Sequence, residues 1–173
     1  SRVLDYRDHI KLDLLPELLM SFSDQIISLK DFSFYHRFVQ WLHGSIHIAA
    51  CRKAKASDKP VLMEIVSRFD EKLSVGEIWE LDFEFYRKLA RISGNIVLMM
   101  LQNTHRNIYQ NLLDSGVIIE ADYSIAFYTH TAAKLTEAIC ANDETALRRL
   151  HPELVEESDK SSIRLFNNIV KGL

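Results

Sequence analysis

Glu80–Asn95 reads ELDFEFYRKLARISGN, and its spacing decides the fold. Leu81, Phe85 and Leu89 recur at intervals of four, the repeat of an amphipathic helix rather than the alternation of a strand. Ser93-Gly94-Asn95 then breaks the run, as a helix end followed by a new cap would. Asp82 and Tyr86 are one turn apart on this helix and face the same way as the apolar residues around them. An acid beside a hydrogen-bonding aromatic on an inward face is how a helical bundle builds an interior binding site.

The rest of the chain extends the helical pattern. Its 173 residues suffice for one domain with a full core, and 47% of them are hydrophobic against 26% charged. Five glycines and three prolines leave little room for hairpins, and no Asn-Gly or Asp-Gly turn occurs. The periodicity predicts a first helix over Leu12–Ser21, with Pro16 in its opening turn. A long second helix is predicted from Asp31 to Ala56, with Asp31 as its cap and Phe34, Phe38, Trp41, Leu42, Ser45, Ile48 and Ala49 on one face. A third starts at Ser57-Asp58 with Pro60 just inside, and its stripe is Leu62, Ile65, Val66 and Phe69. A fourth spans Val75–Ile92, with Ile78, Leu81, Phe85, Leu89 and Ile92 inward. Asn95 caps a fifth that reaches Asp114, a sixth spans Ala121–Ala141, and Asn142-Asp143 opens the last. His151-Pro152 should interrupt that last segment, because the residue before proline disfavours the α region. The expected fold class is all-α, an antiparallel bundle of six or seven helices.

Composition narrows function. The net charge of −3 and the lack of a dense Lys/Arg run argue against direct binding to nucleic acid. No apolar run reaches the length of a membrane span, and no signal peptide is recognisable. Cys51 and Cys140 lie far apart in apolar helical patterns and read as free thiols of a reducing, cytoplasmic setting. The phosphate loop, nucleophile elbow, Cys-x-x-Cys and His-Glu-x-x-His patterns of common enzymes do not occur. The chain therefore reads as a binding protein and not an enzyme, with no cofactor called for. His43 and His47, four apart on one helix, have a spacing that suits a cation, although such a pair is more often half-exposed packing and no third ligand accompanies it in sequence. His130 and His151 lie on separate helices that could approach Asp82. Asp82 itself can equally be a hydrogen-bonded core acid, and Tyr86 and Tyr109 plain core aromatics with satisfied hydroxyls.

The order of segments resembles the effector domain of GntR-superfamily transcription regulators, in the FadR-like branch. The residues that carry the likeness are Leu81-Asp82-Phe83-Glu84-Phe85-Tyr86 with Leu89-Ala90 and Ser93-Gly94-Asn95. Before them stand Leu12-Asp13-Leu14-Leu15-Pro16 and His47-Ile48-Ala49-Ala50; after them come Glu137-Ala138-Ile139 with Asp143 and Ala146, then a closing helix to Lys171. The resemblance implies that residues 1–11 follow a winged-helix domain and that residues 12–173 form a ligand-sensing, dimerising helical domain. It implies a small-molecule effector and a homodimer as partners, with DNA reached only through a domain outside this chain and no role for a membrane. Metal-binding members of the family use an Asp and three histidines. Here Asp82 fills the Asp slot, Tyr86 replaces the first His, and His130 and His151 miss the later slots by one to three residues. A one-residue shift turns a helical side chain by about 100°, so the metal set is broken, and an Asp82–His130–His151 centre is the alternative. A ligand-free dimerisation module is another. In the fatty-acid-responsive members the cavity holds an acyl-CoA, and the stretch Gln102–Tyr109, QNTHRNIY, resembles their fifth helix, which makes Tyr109 a contact. Glu156-Glu157-Ser158 matches their CoA-binding region loosely. Carboxylate-sensing members supply an Arg from the long helix; Arg37 is the nearest here, and Trp41 occupies or shades that slot. The expected ligand-binding set is thus Asp82, Tyr86, Tyr109, Arg37 and Trp41, for a carboxylate or acyl-CoA type of ligand.

Overall fold

A computed structural model of the chain describes residues 29–114 and 125–172. The predicted helix over Leu12–Ser21 and residues 1–11 lie outside them. Six α-helices are described: α1 Leu29–Cys51, α2 Lys59–Ser67, α3 Val75–Ser93, α4 Ile96–Asp114, α5 Ile125–Cys140 and α6 Glu144–Gly172. A single 3-10 turn, Ala56–Asp58, precedes α2. No strand occurs among the described residues, so the all-α bundle stands. Helix α1 is its axis, packing against α3, α4, α5 and α6, while α2 bridges α3 and α5.

The core follows the apolar repeats. Leu42, Ile46 and Ala50 of α1 meet Leu62, Ile65 and Val66 of α2, Phe85 and Leu89 of α3, and Leu135 and Ile139 of α5. A smaller cluster of Phe69, Ile78 and Leu81 closes the far end against Ile125 and Tyr128. Helix α3 has both ends written into its sequence. Ser74 Oγ accepts the Glu77 N–H at 3.3 Å, and Glu77 Oε2 accepts the Ser74 N–H at 2.8 Å, a reciprocal capping box. Gly94 ends the helix at φ 62°, a left-handed conformation that a residue without a Cβ adopts freely. Asn95 opens α4 as expected, its Oδ1 accepting the Val97 and Leu98 amides.

Four expectations are corrected. Asp31 lies inside α1 rather than capping it, and α1 stops at Cys51 instead of Ala56. The stop comes from outside the segment: Asn142, at φ 57° before α6, donates its side-chain N–H to the carbonyls of Cys51 and Ala54. Those carbonyls have no partner further along the helix, so a distant amide ends it. The inward face of α1 is also rotated from the predicted one. Leu42, Ile46, His47 and Ala50 are buried while Trp41 is 57% exposed. Finally, α6 runs unbroken through Pro152. Packing against α1 and α5 offsets the lost N–H, and Gly44 of α1 permits the approach, since a Cβ there would lie 2.9 Å from His151 Cε1.

Candidate functional site

Where α1, α3 and α4 meet, the interior changes from aliphatic to polar and aromatic. Asp82 of α3 is 4% exposed and accepts a hydrogen bond from the Tyr128 hydroxyl of α5. Burial disfavours its charged form and raises its carboxyl from 3.8 to about 7, although the bond from Tyr128 works the other way. One turn on, the Tyr86 ring lies flat on the His43 imidazole, centroids 3.6 Å apart at 13°, with His47 tilted against it at 5.4 Å. The i, i+4 pair on α1 thus grips one tyrosine of α3. Burial, and then the Asp82 carboxylate, push the phenols of Tyr86 and Tyr109 upward, so both stay protonated.

Helix α4 contributes Gln102, His105 and Tyr109, spaced three and four apart on one stripe. His105 Nδ1 lies 2.6 Å from the Tyr35 hydroxyl, and its ring stands edge-on to His43 at 5.7 Å, Phe83 at 5.4 Å and Tyr109 at 5.2 Å. Tyr109 also packs on Trp79 at 4.1 Å. Burial lowers the imidazoles of His47 and His105 to about 3, and that of His43 well below the ordinary value, with nearby His105 and His47 adding to the effect. All three rings are therefore neutral at physiological pH, each with one donor and one acceptor nitrogen.

These polar groups are not all met. His43 Nε2, His47 Nε2, His105 Nε2 and both ends of the Gln102 amide are buried with no hydrogen-bond partner among the described residues. An unmet buried polar group costs roughly 1–3 kcal/mol. Four such side chains in one interior therefore amount to a sizeable part of a domain's net stability of about 5–15 kcal/mol. Gln102 and Phe83 also line a recess of about 630 Å³ between α3 and α4, rimmed by Arg68, Arg87 and Arg106. Those two side chains thus separate the interior cluster from solvent.

Asp82, Tyr86 and Tyr109, expected as a set, are brought together. Arg37 and Trp41 are not joined to them; both are exposed on α1, where Trp41 lies 6.0 Å from Phe38. His130 and His151 are exposed as well, and among the described residues no group of three His, Cys, Asp or Glu side chains is placed to hold a metal ion. Sequence reasoning missed Tyr35, Gln102, His105 and Tyr128 as members of the site. The 102–105–109 spacing was the signal for the α4 stripe, while Tyr128 had none, because its meeting with Asp82 depends on how α5 crosses α3. Cys51 is buried, Cys140 half-buried, and both are free thiols. No described helix is long and apolar enough to cross a membrane. The FCD domain family model matches residues 18–157. No curated protein and no solved structure gives a significant match.

Proposed function

The chain belongs to the FCD domain family, the C-terminal effector-binding domain of GntR-type, FadR-like regulators, and on that premise we propose that its effector occupies the α1–α3–α4 interior. FCD is a regulatory domain of transcription factors and not an enzyme family. The observation that supports the placement is the set of unmet polar atoms on His43, His47, His105 and Gln102. A small organic effector would supply their partners and lay its apolar part against Phe83 and Tyr86. No Lys or Arg is buried among the described residues, so a carboxylate effector is held by imidazole and amide N–H donors rather than by an ion pair. An acyl thioester is held through its carbonyl, with the recess at Phe83 and Gln102 as the way in. The domain pairs with a second copy, and effector binding shifts the balance between two arrangements of an attached winged helix on DNA.

The test is a thermal-shift panel of short carboxylates and acyl-CoAs with the wild-type chain and the His105→Gln and Tyr86→Phe variants. An effector present at about a hundred times its Kd should stabilise the fold by about 2.7 kcal/mol, and each substitution should cut that gain. A ligand that stabilises both variants as well as it does the wild type sits elsewhere, and that result overturns the placement.

A further inference from the structure

A second concave feature lies where α3 ends and α4 begins, away from the interior cluster. It is a groove of about 490 Å³ whose lining carries Lys53, Lys55, Lys88 and Arg91 against one carboxylate, Asp58. Four cations and one acid give it a net charge of +3 in a chain whose total is −3. Several cations elsewhere on the surface are matched by acids: Arg52 with Glu144, Lys59 with Glu137, Arg68 with Glu84, and Arg106 with Glu80. Lys53, Lys55 and Lys88 have no carboxylate within ion-pair distance among the described residues, and Asp58 is turned to the backbone, accepting the Lys55 N–H at 3.0 Å. The fold holds these like charges together. Gly94 lets the Lys53 ammonium come close to the α3–α4 junction, 3.4 Å from where a Cβ would sit. Lys53, Lys55 and Lys88, gathered here without ion-pair partners among the described residues, raise one another's energy, and a bound anion relieves that repulsion.

The floor of the groove is apolar. Met99 is buried, Ile92 half-buried, and Ile96 is 40% exposed. A rim of cations above an apolar floor selects a molecule with both characters. We propose that this groove is a second ligand site, for a small phosphorylated organic molecule whose negative charges sit among Lys53, Lys55 and Lys88 and whose apolar portion lies on Ile92 and Ile96. A DNA backbone is the less suitable partner, since it offers an evenly spaced charge line and no apolar group for the floor, and the recess is concave. The site is independent of the interior effector reading, because it shares no residue with the His43–Tyr86–His105 cluster.

Isothermal titration calorimetry of the full chain with inorganic pyrophosphate, against sulfate at the same ionic strength, tests the charge recognition. Pyrophosphate should bind saturably and more tightly than sulfate. The Lys53→Glu/Lys88→Glu variant should weaken it by about tenfold or more, while His105→Gln leaves it unchanged. A phenyl-bearing phosphate monoester should bind more tightly than inorganic phosphate, and Ile96→Ser should erase that difference. If charge reversal upsets the far-UV circular dichroism, Lys53→Ala/Lys88→Ala takes its place with a smaller loss expected. Equal binding of pyrophosphate and sulfate, or affinity untouched by either lysine variant, overturns the site. So does a short DNA duplex that competes with pyrophosphate for the same lysines, which would make the groove a nucleic-acid contact. Loss of pyrophosphate binding in His105→Gln would place it in the interior instead.

Discussion

Replacing Asp82 by asparagine isolates the energetic cost of the buried acid. On folding, the carboxyl rises from 3.8 to about 7 because burial removes the water that would solvate its charge. Below about pH 4 the folded and unfolded chains both hold the proton, and nothing is lost. Between about pH 4 and 7 the unfolded chain has released a proton that the fold still holds, so stability falls as pH rises, by about 1.4 kcal/mol per unit. Above about pH 7 the cost is constant at about 4 kcal/mol. Asparagine keeps a carbonyl to accept the Tyr128 hydroxyl, cannot ionise, and adds one buried N–H at a cost of about 1 kcal/mol. Asp82→Asn should therefore match the wild type near pH 5 and exceed its stability by about 3 kcal/mol near pH 8. Urea unfolding followed by circular dichroism on both proteins from about pH 5 to 8 reads the difference directly. A gap that does not change with pH would refute the reasoning, since the proton would then not be coupled to folding at this side chain. A variant less stable than the wild type at pH 8 would show that the charged carboxylate is itself stabilising, and that Tyr128 outweighs burial.

Two further outcomes follow from the same structure. The neutral imidazoles of His47 and His105, held near 3 in the fold against 6.5 ordinarily, stay unprotonated while the unfolded chain takes up protons, so their contribution to stability is lost as pH drops below about 6.5, against the opposite slope from Asp82. Together they should remove about 4 kcal/mol by about pH 5, of which Asp82 returns about 2 kcal/mol; His105→Gln should lose about 2 kcal/mol less than the wild type over that range in urea unfolding, and an unchanged acid slope would count against a buried neutral ring. Pro152→Ala restores the N–H that the continuous helix α6 lacks and should stabilise the chain by about 1–3 kcal/mol, read as a raised thermal midpoint; a lowered midpoint would mean that the proline shapes the helix to fit α1.

What the sequence disclosed and what it hid separate along one physical line. Features set by neighbours in the chain were legible: the capping box at Ser74, the break at Gly94, the cap at Asn95 and the buried stripes of α2 and α3. Each depends on residues within one or two turns. Features set by a crossing helix were not. The end of α1 is fixed by Asn142, the continuity of α6 through Pro152 by packing, and the partner of Asp82 by Tyr128. Trp41 shows the same limit, because a helix bearing Phe38, Trp41 and Leu42 has two possible inward faces, and only its neighbours select the one with Leu42 and Ile46. Within the site, the α3 pair of Asp82 and Tyr86 was legible and the imidazoles that meet it were seen only as a pair on α1.

Tyr86 explains why the polar interior has the chemistry it does. A histidine at that position would set a nitrogen ligand one turn from the Asp82 carboxylate, and the two together would begin a cation site. A phenol offers a flat face instead, and His43 lies on that face at 3.6 Å. The stacked imidazole is kept neutral by burial, the carboxyl accepts the Tyr128 hydroxyl, and among the described residues no third side chain joins them to hold a metal ion. The consequence is an interior whose donors and acceptors are all close to electrically neutral near pH 7, with Asp82 the one group poised to change charge there. An effector that accepts a hydrogen bond from the protonated Asp82 would hold the proton on and raise its carboxyl further, so its affinity should fall as pH rises through about 7. An effector bearing a hydrogen-bond donor toward Asp82 would show the opposite slope. The sign of the pH dependence of binding therefore reports which polar group of the effector faces Asp82, and the Asp82→Asn variant, which has no proton to exchange, should bind either kind with no such slope.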